Sequence, residues 1–196
     1  MRSKSPLAAI ALVLVLFLGS TTAFASTNLI HNGSFETGDF TGWTAGGFFD
    51  PTYVVSGRFY VYSGAEDGLF YVALGSDLGD GTLSQTLATT PGAQYTFSFW
   101  FAAVQDRPSE FFAGWDSELI HLYYPDTRAA WTQFSFPVTG TGSDVVWFGF
   151  YDDPAFMALD NVSATPVVTG TPEPGTLLLL GSSLFLVGGI IRRRPK

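Results

Sequence analysis

The chain contains no cysteine, which excludes a disulfide scaffold, cysteine-ligated zinc, iron–sulfur centres and a thiol nucleophile. It has only two histidines, His31 and His121, too few for a histidine-rich metal site and a poor basis for a histidine-dependent triad. Basic residues are scarce where they would matter. Residues 26–172 carry Arg58, Arg107 and Arg128 against 16 acidic groups, a net of −13. Such a body repels phosphate backbones, so nucleic acid is not a partner. No G-x-S-x-G, H-E-x-x-H, P-loop or G-x-G-x-x-G pattern occurs. Helical periodicity is almost absent from the central region.

What the chain has is aromatic bulk and two apolar ends. Of its 196 residues, 19 are Phe, 8 Tyr and 5 Trp. Arg2 and Lys4 precede an apolar run of 13 residues, Leu7 to Gly19, and Ala23-Phe24-Ala25 forms an A-x-A site. This reads as a signal peptide over 1–25, cleaved after Ala25 to leave Ser26 first. The alternative is an uncleaved anchor. At the other end Gly175 to Ile191 has 17 uncharged residues, followed by Arg192, Arg193 and Arg194. At about 1.5 Å per residue it is just long enough for a transmembrane helix over 175–191. The basic tail at 192–196 then stays cytoplasmic and the body lies outside. Residues 166–174 hold three prolines, Pro166, Pro172 and Pro174, and read as an extended linker.

The body, 26–165, shows short alternating runs separated by Gly, Pro, Asp and Ser clusters. The clearest is Gln94 to Ala103, with Tyr95, Phe97, Phe99 and Phe101 on one face and Ser98 and Trp100 on the other. Val145–Tyr151 and Thr132–Val138 are similar. Further strands are expected at Thr52–Val55, Arg58–Tyr62, Leu69–Leu74, Thr82–Leu87, Glu118–Tyr123 and Ala158–Ala164. Asp80-Gly81, Pro91-Gly92 and Gly140-Thr141-Gly142 read as turns, and Phe111 to Asp116 as a loop. About nine short strands predict an all-β fold, an antiparallel sandwich or jelly roll.

Two resemblances sharpen this. Pro172-Glu173-Pro174, the adjacent hydrophobic run with its small residues and the arginine cluster resemble the PEP-CTERM sorting signal. That family implies an exopolysaccharide-producing Gram-negative bacterium, an exosortase-type enzyme as partner and cleavage near the Pro-Glu-Pro motif. It also implies an inner-membrane stage before the cell surface or extracellular matrix. A permanent single-span anchor is the alternative. The second resemblance joins the opening, Asn28-Leu29-Ile30-His31-Asn32-Gly33-Ser34-Phe35-Glu36 with Gly42-Trp43, to the closing Leu159-Asp160-Asn161-Val162-Ser163. These look like the first and last strands of galactose-binding-like jelly rolls, a group that includes carbohydrate-binding modules. The likeness implies that the two strands lie side by side. It also implies a structural calcium held by Glu36, Asp160 and the carbonyl near Ser34. Without a metal, Glu36 would cap a turn and Asp160 would accept backbone hydrogen bonds.

A polysaccharide partner would stack on aromatic rings off the core faces. Trp115, Trp100, Tyr60 and Tyr62 are the ligand-binding candidates, with Trp115 in its expected loop the foremost. For each ring, core packing is the competing role. Trp43 is expected to pack where the chain enters the domain. Glu66-Asp67 and Asp152-Asp153 do not make a glycosidase pair, because adjacent strand residues face opposite ways. The chain therefore reads as a non-enzymatic exported protein. A polysaccharide-binding module is set against a passive structural protein of the same fold, with a hydrolase the third possibility.

Overall fold

A computed structural model describes residues 27–104, 109–123 and 130–168 of the chain. The signal peptide, the Pro-Glu-Pro motif, the apolar segment at 175–191 and the arginine cluster lie outside these residues, as do Arg107, Tyr124 and Arg128. Among the described residues no helix is long and apolar enough to cross a membrane.

Among the described residues eight antiparallel strands form the body: β1 (Thr44–Gly47), β2 (Tyr53–Ser56), β3 (Phe70–Ala88), β4 (Gln94–Ala102), β5 (Ser109–Trp115), β6 (Glu118–Tyr123), β7 (Thr132–Thr139) and β8 (Ser143–Pro166). Two of them organise the rest. The first part of β3 pairs with β2 and with the end of β8, and its second part pairs with β1 and the start of β8. Register shifts between Leu74 and Gly81 on β3 mark the passage from one layer to the other. One layer is ordered β1-β3-β8-β5-β6 and the other β2-β3-β8-β4-β7.

This corrects the sequence expectation at several points. Leu69–Leu74 and Thr82–Leu87 belong to one bent strand, as do Val145–Tyr151 and Ala158–Ala164. Asp80-Gly81 lies within β3 rather than in a turn. Arg58–Tyr62 is not a strand but a tight loop closed by the Phe59–Tyr62 bridge. Phe111 to Trp115, expected as a loop, belongs to β5 because β6 and β8 both pair with it.

The layers meet through phenylalanine. Phe97 and Phe99 of β4 face Phe148 of β8 at ring separations of 6.0 and 5.2 Å, and Phe101 stacks on Phe111 at 4.0 Å. All five rings are sealed from solvent. The period-2 alternation that marked these runs is thus the core face. Between the edge strands β6 and β7, His121 packs on Phe134 and Phe136, and burial lowers its pKa.

The body's opening and closing segments lie side by side as the resemblance implied, although the opening one forms no strand. The Leu29 amide donates to the Ala164 carbonyl and the Val162 amide to the Gly33 carbonyl, both at 2.9 Å. Asn28 clamps the junction, its Oδ1 accepting from the Ala164 amide at 2.8 Å. Trp43 packs close by, as expected, stacking on Phe35 at 5.6 Å and donating to the Asn32 carbonyl.

Candidate functional site

The two outer faces differ. Over the β2-β3-β8-β4 layer, the segment after β2 folds back. Tyr62 sits there with Tyr71, Ala102 and Ala158 in a second apolar cluster. Its hydroxyl donates to the Phe156 carbonyl at 2.7 Å, and the Trp131 indole donates to the Gly64 carbonyl. Burial pushes the Tyr62 hydroxyl far above the ordinary phenol range.

The outer face of the β1-β3-β8-β5-β6 layer is built differently. Inward positions of β8 are Val146, Phe148 and Phe150, so Val145, Trp147, Gly149 and Tyr151 point outward. Across the layer one register row reads Thr44, Ser84, Trp147, Gly114, Leu119. The next reads Gly46, Thr82, Gly149, Phe112, Leu122.

Each row pairs a large ring with a glycine on the neighbouring strand. The Trp147 ring occupies the space above Gly114, where a Cβ would lie 2.1 Å from it. Phe112 leans over Gly149, 3.3 Å from the corresponding point, with the far edge of Trp147 at 3.7 Å from that same point. The two part-buried rings therefore lie next to one another over the glycines, as one shelf. The Trp147 indole N–H donates to the Asp116 carbonyl at 2.8 Å, which fixes its orientation. Leu119 and Leu122, 50% and 40% exposed, extend the apolar surface on one side. The hydroxyls of Thr44, Thr82 and Ser84 border it on the other. A flat apolar platform with hydroxyl groups at its edge suits a ligand that is apolar on one face and hydroxylated around its rim.

The residues singled out from sequence fall elsewhere. Trp115 is 5% exposed at the inner face of β5, packed against Tyr95 and Phe97, not in a surface loop. Tyr62 is likewise inside, 1% exposed. Trp100 is half-buried on the outward side of β4, opposite Gln133 and Asp160. Tyr60 is exposed, its ring 6.1 Å from that of Phe156. Trp147 and Phe112 were missed. Alternation in 145–151 already set Trp147 opposite the phenylalanine face, but Gly114 and Gly149, which let the rings lie flat, gain meaning only across strands.

Glu36 and Asp160 converge on one segment from two sides. Glu36 Oε1 accepts the amides of Leu69 and Phe70, each at 2.8 Å. Asp160 is fully buried. Its Oδ2 accepts the amides of Glu66 and Asp67 at 2.8 and 3.0 Å, and its Oδ1 accepts the Asn161 amide at 2.7 Å. Burial pushes its carboxyl up to about 7 despite those three donors, with the Glu66 charge adding to the rise. Ser34 lies half-buried beside the Gly33–Val162 link. These contacts match the hydrogen-bonding role left open from sequence. Among the described residues no three His, Cys, Asp or Glu side chains gather as a metal site. The Asp160 and Glu36 oxygens that accept amides already face positive hydrogen atoms.

A second acidic pair flanks the shelf. Burial works against the Asp144 carboxylate. Hydrogen bonds from Thr89, from the Thr141 amide and hydroxyl, and from Asp116 nevertheless hold it down at about 2. Asp116 is pushed the other way, by burial and by Asp144 beside it, while its Oδ1 accepts the Val145 amide. Thus Asp144 is the more acidic of the pair, and Asp116 anchors the turn that orients Trp147.

No protein-family model matches the sequence, and no curated protein matches it. Solved structures do share the fold. A CBM61 module solved with β-1,4-galactotriose superposes with a TM-score of 0.60 at 19% identity, over 72% of this chain and all of its own. The xylan-binding CBM22-1 domain of Paenibacillus barcinonensis Xyn10C gives 0.56 at 16% identity, over 76% of this chain and all of its own. A cleaved adhesin domain of Lys-gingipain from Porphyromonas gingivalis gives 0.51 at 16%, over 72% of this chain and 99% of that domain. The body is therefore an antiparallel β-sandwich of the jelly-roll kind found in carbohydrate-binding modules.

Proposed function

We propose that the body is a polysaccharide-binding module whose ligand lies along the Trp147–Phe112 shelf. The observation that carries this is the pairing of each ring with a glycine across the strands, which holds an aromatic surface flat and open. Pyranose rings present axial C–H faces to such surfaces, and peripheral hydroxyls meet the Thr and Ser edge. The galactan- and xylan-related modules that share the fold support the ligand class. The reading is one of binding without catalysis. A passive structural protein is the alternative, and affinity electrophoresis of the folded protein in galactan and xylan gels separates the two. Retardation by at least one polymer is expected, with a loss of roughly 2 kcal/mol, about thirtyfold, in Trp147→Ala. Unretarded wild-type protein would return the structural reading.

We also propose that the chain is exported and sorted through its Pro172-Glu173-Pro174, apolar and Arg192-Arg193-Arg194 segments, with an exosortase-type enzyme and the inner membrane as partners. The final location is then the surface or extracellular matrix of a Gram-negative cell. The sequence pattern alone supports this. A calcium ion on Glu36, Asp160 and the Ser34 carbonyl is a further proposal. It requires the amides now facing Asp160 and Glu36 to share those oxygens with the ion.

A further inference from the structure

A cavity of about 380 Å³ opens at the side of the sandwich, between the edge strands β6 and β7 and beside the turns that follow β5 and β7. It is distinct from the shelf, because neither Trp147 nor Phe112 lines it. Its apolar lining is Trp115, Ile120, Pro137 and Val138. Glu118, Thr139 and Thr141 also line it, with Asp116, whose Oδ1 accepts the Val145 amide. Among the described residues no Lys, Arg or His lines it. Its volume is at the small end for ligand pockets, about one sugar ring rather than several.

We propose that this cavity takes the terminal residue of a polysaccharide, a single neutral pyranose whose C–H face rests on the apolar lining and whose hydroxyls donate to Glu118. This rests on the glycan-binding reading and deepens it, adding a chain-end site to a chain-face site. The chemistry follows from the lining. A rim rich in acceptors and without cationic donors is matched by hydroxyl donors. A uronate would set its carboxylate against Glu118 with no counter-charge, so acidic sugars are rejected.

Saturation-transfer NMR on the full-length protein, in a detergent without a sugar headgroup, tests this with methyl glycosides of galactose, glucose and xylose. Saturable transfer from at least one of them is expected, about tenfold weaker for the corresponding uronate. Ser117 is an exposed turn residue at the mouth, so Ser117→Trp should plug the cavity without unfolding the protein. That variant should lose the monosaccharide signal and keep polymer retardation, whereas Trp147→Ala should do the reverse. Glu118→Arg should admit the uronate. Monosaccharide transfer that survives Ser117→Trp and disappears in Trp147→Ala would place the sugar on the shelf and overturn the proposal. Polymer binding without any monosaccharide signal would overturn it too, leaving the shelf intact. If neither polymer nor monosaccharide binds the folded protein, the glycan-binding reading falls with it.

Discussion

Asp160 is buried among donors that favour its charge, in surroundings that oppose it. Its folded value of about 7 lies above the ordinary 3.8, so the folded protein holds a proton that the unfolded chain releases. The resulting stabilisation is complete below about pH 4 and is lost as pH rises through about 7. Thermal melting in chelator should therefore shift downward across that window, and Asp160→Asn should flatten the slope. A bound cation would favour the carboxylate and reverse this logic. If the calcium proposal holds, calcium raises the melting temperature of the wild type above pH 7 and leaves Asp160→Asn unchanged. Identical wild-type melts with and without calcium would remove it. Glu36 and Asp160 were legible from the opening and closing motifs. Their shared target, the amides between Glu66 and Phe70, was not, because it lies more than 30 residues from Glu36 and 90 from Asp160 along the chain.

At the scale of the strand, the alternating Phe runs of β4, β7 and β8 announced the core directly. Burying one face of a pleat needs only period two, and sequence displays that period. Three things escaped it. The merging of paired segments into the bent β3 and β8 depends on bulges near their midpoints, which read locally as breaks. β5 carries Phe111-Phe112 and a glycine, which blur the alternation, and pairing on both sides overrides that weak local signal. The shelf depends on which residues stand opposite one another, a property of register. Gly114 tests this last point. A methyl group there would lie 2.1 Å from the Trp147 ring, within backbone-fixed geometry, so the ring must tilt off the sheet. Gly114→Ala should weaken polysaccharide retardation nearly as much as Trp147→Ala, with a stability loss of about 1–3 kcal/mol typical of overpacking. Binding unchanged in a folded Gly114→Ala protein would show that the flat ring is not what the ligand contacts.

For the whole molecule, the proposed export and sorting rest on the two apolar, basic-flanked ends around a body at −13. In a host with the sorting enzyme, intact mass spectrometry of the extracytoplasmic product should find residues up to about Pro174 and none of the arginine cluster; a product retaining Arg192 to Arg194 would mean permanent anchoring. The sequence by itself determined the all-β class, the phenylalanine core faces, the meeting of the body's opening and closing segments and the charge that turns away phosphate. Each of these follows from local periodicity, composition or a contiguous motif. Only the tertiary structure decided that Trp115 and Tyr62 lie inside, that Trp147 and Phe112 form the open shelf, and that a cavity separates β6 from β7. Exposure and cross-strand neighbours arise from how the layers stack, and alternation defines two faces of a strand without saying which of them will be covered.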